Sequence, residues 1–290
     1  MSPAGATIVA GAEVAAALRK EVSAAAARLT AAADRQPRLD VLLIGDDPAS
    51  AWYAGAKRKL GRRLGIEVRV IELGADTPAA DAADAVGRAS RDPLVDGVII
   101  ELPLPEGIPL AGLCDRLDPA KDVDGITAAN RAALFDGREE RALVPATALA
   151  CVRMIERCGR TIRGAAVAVV GRGPTVGRPV AAALVNRHAT VTVCHTRTRD
   201  LGAVLGEAEV VVAAAGVPRL VTGTMIRPGA AVIDAGTNQV GDELVGDVEP
   251  ESVAAVAGAL TPVPGGVGTV TTAMIMVNVM RAAAMRGMAG

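Results

Sequence analysis

Apolar residues along this chain follow two spacings in turn. Short β-branched runs read as strands: Arg38 to Ile44, Ile66 to Leu73, Val95 to Pro105, Val167 to Val170, Thr190 with Val191 and Val193, Glu209 to Ala214, Ala230 to Asp234, and the brief Ala259-Leu260. Between them lie alanine-rich stretches with helical spacing. Glu13 to Ala32 places Leu18, Val22 and Leu29 on one face. Ser50 to Leu64, Thr77 to Ser90, the stretch from Gly177 through Val185, and Thr271 to Met288 complete the set. Strand and helix in alternation predict an α/β chain with parallel sheets. Gly45-Asp46-Asp47-Pro48 closes the first long strand, and Ser50 is the candidate N-cap of the helix after it. The Asp118 to Gly125 segment is polar and turn-rich, so it is expected outside the core.

One strand-turn-helix carries chemistry. Val167 to Val170 runs into a turn with Gly171, Gly173 and Gly177 and then into an apolar helix. Glycines at that spacing let backbone N–H groups approach a pyrophosphate at a positively polarised helix N-terminus. About twenty residues on, the next strand ends where an NAD enzyme places a carboxylate for the ribose 2′-hydroxyl. Here it ends in His195, Thr196, Arg197, Thr198 and Arg199. With Arg172 also in the turn, a 2′-phosphate is the better electrostatic match, which favours NADP over NAD. A glycine turn that binds nothing stays open on these residues alone.

Composition narrows the classes. A chain of 290 residues, 51% apolar, suggests two domains with ample core. One Trp, one Tyr and one Phe leave the packing to Ala, Val, Leu and Ile. A net charge of -1 argues against a nucleic-acid partner. Cys114, Cys151, Cys158 and Cys194 lack metal or disulfide spacing and suit reduced thiols in a cytoplasm. The N-terminus reads as neither signal peptide nor membrane span. Asp46, Asp47 and Asp122 form no spaced metal cluster, and the methionine-rich last helix reads as adaptable core. His188 and His195 are given no catalytic role.

Tyr53 and Lys57 stand four apart on a helix that begins at a strand end, where open α/β sheets place ligands. Glu101 ends an apolar strand, a costly place for a carboxylate unless paired, and Lys57 is an available partner. A Tyr-x-x-x-Lys pair also occurs in short-chain dehydrogenases, but there it follows the glycine turn, and here it precedes it.

Seven ordered blocks resemble the FolD family of bifunctional methylenetetrahydrofolate dehydrogenase/cyclohydrolases. They are Asp47-Pro48-Ala49-Ser50 with Tyr53 and Lys57, Asp96-Gly97 to Pro105, Lys121-Asp122-Val123-Asp124-Gly125, Gly171 to Pro179, Asp234-Ala235-Gly236, Gly246-Asp247-Val248, and Thr261 to Gly268. The resemblance implies an N-terminal catalytic domain and a Rossmann-type NADP domain with a cleft between them, usually as a homodimer. It places the domains at 1–147 and 148–270, with 271–290 a helix returning to the first.

By the same resemblance Lys57 is the general acid/base of the hydrolytic step, Tyr53 stacks on the folate and Asp124 hydrogen-bonds the pterin. Gly171, Arg172, Gly173, Val176, Gly177, Thr196, Arg197 and Thr237 become candidates for the cofactor, and Pro264, Gly265, Gly266 and Val267 for the folate side. The implied reaction is NADP-dependent oxidation of 5,10-methylenetetrahydrofolate, followed by hydrolysis of the methenyl product.

Glu101 departs from the family's Gln and would stabilise the ammonium form of Lys57, which sets the hydrolysis in question. Ala146 and Ala148 in the connector, Gly173, and Thr269-Val270 after the last glycines are milder departures. Two other readings remain beside this one: an NADP-dependent dehydrogenase for another one-carbon or amino-acid substrate, and a dimeric cofactor-binding protein without turnover.

Overall fold

The structure is a computed structural model that describes residues 5–287, so the N-terminal reading over Met1 to Ala4 and the expected helix end at Met288 fall outside it. The chain divides into two compact units. One comprises 17–133, 138–144 and the chain from Ile275, and the other 5–16, 134–137 and Pro145–Met274. Two long helices, α1 (Ala12–Ala33) and one at the C-terminus, each begin in the second unit and run on into the first.

The first unit is built on three parallel strands: β1 (Arg38–Ile44) in the centre, β2 (Glu67–Leu73) on one side and β3 (Gly97–Ile100) on the other. Leu39, Val41, Leu42, Leu43 and Ile44 are all buried, as a central strand covered on both faces requires. Its one carboxylate, Asp40, is buried too and is paired with Arg69. Leu42, Ile44, Ala85, Val86, Val98, Ile100 and Leu113 form the core on the α3 side, where α3 is Ala79–Arg91.

Helix α2 (Pro48–Leu64) connects β1 to β2. Its N-cap is Asp47 rather than Ser50: the Asp47 carboxylate accepts from the Ser50 N–H at 2.7 Å, and Pro48 fills the first turn, where no N–H is needed. The helix stops at Gly65 in the left-handed conformation, φ 78°. The expected strand over Val95 to Pro105 is a strand only from Gly97 to Ile100, with one further ladder bond from Glu101, and Pro103 and Pro105 have no N–H to carry it on.

The second unit carries a six-stranded parallel sheet. Its strands in sheet order are Thr7–Ile8, Ala259–Leu260, Ala231–Asp234, Val210–Ala213, Ala166–Val170 and Thr190–Cys194. An antiparallel hairpin, Asn238–Val240 with Glu243–Val245, stands apart from it. Thr7–Ile8 had no strand expectation; two residues are too short to show alternation, yet they pair in register with Ala259 and Leu260. The C-terminal helix, Val267–Met285, starts four residues before the expected Thr271 and is long and apolar enough to cross a membrane. Of its most apolar stretch 61% is buried inside the protein, as in a core helix.

Candidate active site

Tyr53 and Lys57 share one face of α2, and the strand β3 ends one residue before Glu101. The Glu101 N–H donates to Leu42 O at 2.9 Å, extending the β1–β3 ladder by a step and fixing where the side chain leaves the sheet. Lys57 Nζ lies 2.7 Å from Glu101 Oε1 and 3.0 Å from Oε2. Both residues are buried, at 5% and 7% exposure, so the pair is shielded from water. The same ammonium sits 5.7 Å from the centroid of the Tyr53 ring, within cation–π range.

Ser50, misread as the cap, ties the site together. Its hydroxyl lies 2.8 Å from Asp47 Oδ2 and 3.0 Å from Leu102 O, so the start of α2 is fastened to the residue after Glu101. Trp52 was not foreseen as a neighbour: it packs edge-on to Tyr53 at 5.1 Å and stays 67% exposed. Its signal was its rarity, since it is the only Trp in the chain.

The Asp118 to Gly125 segment is not the solvated loop expected from its polarity. Lys121, Asp122 and Val123 are buried. Asp122 accepts from Ile126 N (3.1 Å), Thr127 N (2.8 Å) and Asn130 Nδ2 (2.9 Å), and Lys121 Nζ donates to Asp92 O at 2.6 Å. From the C-terminal helix, Asn278 donates to Val123 O and Val144 O. The buried side chains of Lys121 and Asp122 thus each have partners, which is the condition for burying them.

Asp124 projects from this fixed loop. Desolvation first, then the Asp122 charge, pushes its carboxyl up to about 7. Lys57 opposes that shift and Glu101 adds to it, which places the three side chains within electrostatic reach of one another. The structure therefore brings Tyr53, Lys57, Glu101 and Asp124 together.

In the second unit the glycine turn follows the Ala166–Val170 strand. Gly171 has φ 115°, and a Cβ there would run into Ala214 O; one on Gly177 would run into Gly171 O. The helix Gly177–Val185 starts directly behind, with Val176 as its N-cap residue. Gly171 N donates to Cys194 O at 2.9 Å, which sets the turn beside the end of the next strand.

There Thr196 and Arg197 are exposed, as are Arg172 and Gly173. Neither Arg172 nor Arg197 has a carboxylate partner among the described residues. The nearby carboxylate, Asp200, instead caps the helix Leu201–Glu207 through Ala203 N. A backbone that only glycine permits, flanked by two unpaired guanidiniums, fits a dinucleotide carrying an extra phosphate.

Thr237 follows the Ala231–Asp234 strand, and Pro264 to Gly266 follow Ala259–Leu260, so both groups lie past strand ends of the same sheet. Val267 is already the first residue of the C-terminal helix. A cavity of about 480 Å³ is lined by Asp234, Gly246, Thr261 and Pro264, with none of the Gly171–Gly177 turn in its wall. His188 is exposed just past a helix end, and His195 Nδ1 accepts from Arg197 N (3.1 Å), a local turn contact. No metal-binding cluster occurs among the described residues.

Comparison with known proteins matches both halves. The family described as tetrahydrofolate dehydrogenase/cyclohydrolase, catalytic domain, covers residues 9–124, and its NAD(P)-binding domain covers 145–287. The chain belongs to the FolD family. The bifunctional protein FolD of Chloroflexus aurantiacus is 46% identical over 278 residues, 96% of this chain and 97% of that protein. That of Afipia carboxidovorans is 44% identical over 283 residues, 96% of each.

Among solved structures, the Trypanosoma brucei FolD complexed with NADP and an inhibitor is 34% identical, with a TM-score of 0.94 over 98% of this chain and 99% of that one. Campylobacter jejuni FolD is 32% identical at a TM-score of 0.92, over 97% and 99%. These matches do not favour the other two readings, an NADP-dependent dehydrogenase paralogue for another one-carbon or amino-acid substrate and a dimeric cofactor-binding protein without turnover.

Proposed function

We propose that this FolD-family chain oxidises 5,10-methylenetetrahydrofolate with NADP, and that its hydrolysis of the methenyl product is slowed because Lys57 is locked to Glu101. When bound, NADP supplies the acceptor for a hydride from the one-carbon bridge, leaving a methenyl cation and consuming no proton. That step asks the protein mainly for position. Tyr53 offers a ring face to the pterin. Asp124, titrating near neutrality, can donate to or accept from the pterin's amide edge. Gly171, Gly173 and Gly177 leave room for the pyrophosphate, and Arg172, Thr196 and Arg197 offer donors to the 2′-phosphate. Thr237 and the Pro264 to Val267 segment complete the proposed contacts.

Hydrolysis differs, because water must lose protons as it adds to the methenyl carbon. The observation that bears on it is the 2.7 Å contact between Lys57 and Glu101. An ammonium already held by a buried carboxylate is poorly placed to take a proton from water. Methylenetetrahydrofolate given with NADP and then with NAD, followed by reduced-nicotinamide absorbance, tests the first half; no turnover with either cofactor would remove it.

We also propose a homodimer working in the cytoplasm, with no nucleic acid or membrane as partner. The four cysteines are free, and burial raises all four thiols, as suits a reducing compartment. Sedimentation at micromolar concentration tests the dimer, and a monomer would contradict it.

A further inference from the structure

Two buried carboxylates in the second unit have no role in the account so far. Asp234 ends the Ala231–Asp234 strand at 4% exposure, and Asp247 follows the hairpin at 0%. Asp247 Oδ2 accepts from Ala215 N (2.5 Å) and Gly216 N (2.9 Å), and its Oδ1 from Val217 N (3.1 Å) and Asn238 Nδ2 (2.8 Å). Asp234 Oδ1 accepts from Gly236 N (2.9 Å) and Asp247 N (3.0 Å), and its Oδ2 from Val248 N (3.0 Å). The Asp234 N–H in turn donates to Thr261 Oγ1 at 2.8 Å. The two side chains thereby join the loops after two neighbouring strands, Val210–Ala213 and Ala231–Asp234, to the end of the hairpin, and the Asp234 backbone adds a tie to the loop after Ala259–Leu260.

The arrangement is costly as a plain fold element. Neither carboxylate has a cation partner among the described residues, and one like charge stands beside the other. Every contact requires an oxygen that accepts, which only the ionised carboxylate offers at all its lone pairs. Glycine is needed on both sides, since a Cβ on Gly246 would enter the Asp234 carboxyl and one on Gly236 the Asp247 carboxyl.

Location indicates what the arrangement serves. In the sheet order, Ala166–Val170 feeds outward to Thr190–Cys194 on one side, and the chain then crosses back to Val210–Ala213 on the other. A dinucleotide lies across such a switch point, with its adenosine toward the Thr190–Cys194 end. The other half must therefore meet the loops after Val210–Ala213 and Ala231–Asp234, the two that Asp247 joins. Resting on the NADP reading above, we infer that Asp234 and Asp247 form a carboxylate couple that positions the loops on the nicotinamide side of the cofactor site. They are positioning residues, separate from Arg172, Thr196 and Arg197.

The two halves of the cofactor can be probed apart by calorimetric titration of the full chain with NADP and with adenosine 2′,5′-bisphosphate, which lacks the nicotinamide half. Asp247→Asn replaces an accepting oxygen by a donor facing N–H groups, whichever way the amide turns. It is expected to weaken NADP about 30-fold while leaving the bisphosphate within about 2-fold. Asn238→Ala keeps both carboxylates and removes one donor, so the same split is expected at about 5-fold, and this milder variant decides the matter if Asp247→Asn does not fold. Equal weakening of both ligands would make the couple a general stability element and overturn the inference, as would no change in either. A wild-type chain that binds neither ligand would remove the cofactor reading, and the couple's role with it.

Discussion

Replacing Glu101 by Gln separates the two half-reactions by one charge. In the native chain, taking a proton from the Lys57 ammonium leaves the Glu101 carboxylate buried and uncompensated, with its oxygens 2.7 and 3.0 Å from a nitrogen that no longer attracts them. Breaking a buried ion pair from one side costs about 3–5 kcal/mol. At about 1.4 kcal/mol per factor of ten, that is a penalty of roughly 10²–10⁴ on any step using Lys57 as a base. The amide of Gln keeps an acceptor for Nζ and strands no charge, so the penalty falls away.

Hydride transfer moves no proton through Lys57, so it should change little. Preformed methenyltetrahydrofolate mixed with Glu101→Gln in a stopped-flow instrument should lose its absorbance about 10²-fold faster per active site than with the native chain. The dehydrogenase rate, from reduced-nicotinamide absorbance, should stay within about 3-fold. Ordinary hydrolysis in the native chain, or a Gln variant no faster than it, would refute the reasoning. The exchange should also cost stability, by up to about 3–5 kcal/mol, since it leaves the buried Lys57 ammonium without its counter-charge.

Other consequences are open to measurement. Arg197→Ala and Arg172→Ala each remove an unpaired guanidinium beside the glycine turn and should raise KM for NADP about 10-fold while leaving KM for NAD unchanged; parallel losses with both cofactors would show that neither arginine reads the 2′-phosphate. Asp122→Ala leaves the N–H groups of Ile126 and Thr127 without an acceptor and takes one of the two acceptors of the Asn130 amide, which keeps Pro119 O, and should lower unfolding free energy by about 3 kcal/mol in urea titration; a loss below about 1 kcal/mol would mean that water replaces the carboxylate. Asp124 supplies a pH test: with its folded value raised to about 7, the native state holds a proton that the unfolded state releases above about pH 4. Its contribution to stability is therefore full below about pH 4 and is lost as pH rises toward 7, so Asp124→Asn should gain on the native chain by up to about 4 kcal/mol across that window. A pH-independent difference would mean that Asp124 is ionised throughout.

Why some of this was legible in the sequence and some was not follows from the range of the forces involved. Arg38–Ile44 and Pro48–Leu64 are set by neighbours along the chain, by apolar runs, a proline and a glycine stop, so the sequence reading found their limits within two residues. The Lys57–Glu101 pair was foreseeable for another reason: a carboxylate at the end of a buried strand must find a cation. Asp47 displaced Ser50 as the cap because both residue types satisfy the local rule, and only the position of Leu102 O draws the Ser50 hydroxyl elsewhere.

The Asp118 to Gly125 segment escaped for a deeper reason. Polarity predicts exposure only when partners are absent, and its partners come from far along the chain: Asn130, the carbonyl of Asp92, and Asn278 from the last helix. The same holds for Asp234 and Asp247, thirteen residues apart in sequence but one hydrogen bond apart in space. In both places a costly buried carboxylate is partnered by N–H groups beside the residues that would meet substrate or cofactor. A fold selected for stability alone has no use for buried carboxylates held only by N–H groups, since apolar side chains of similar volume would serve as well or better. Stability alone therefore leaves these two loops unexplained, and on the positioning role proposed for Asp234 and Asp247 the carboxylates are there to hold a ligand-facing backbone in place.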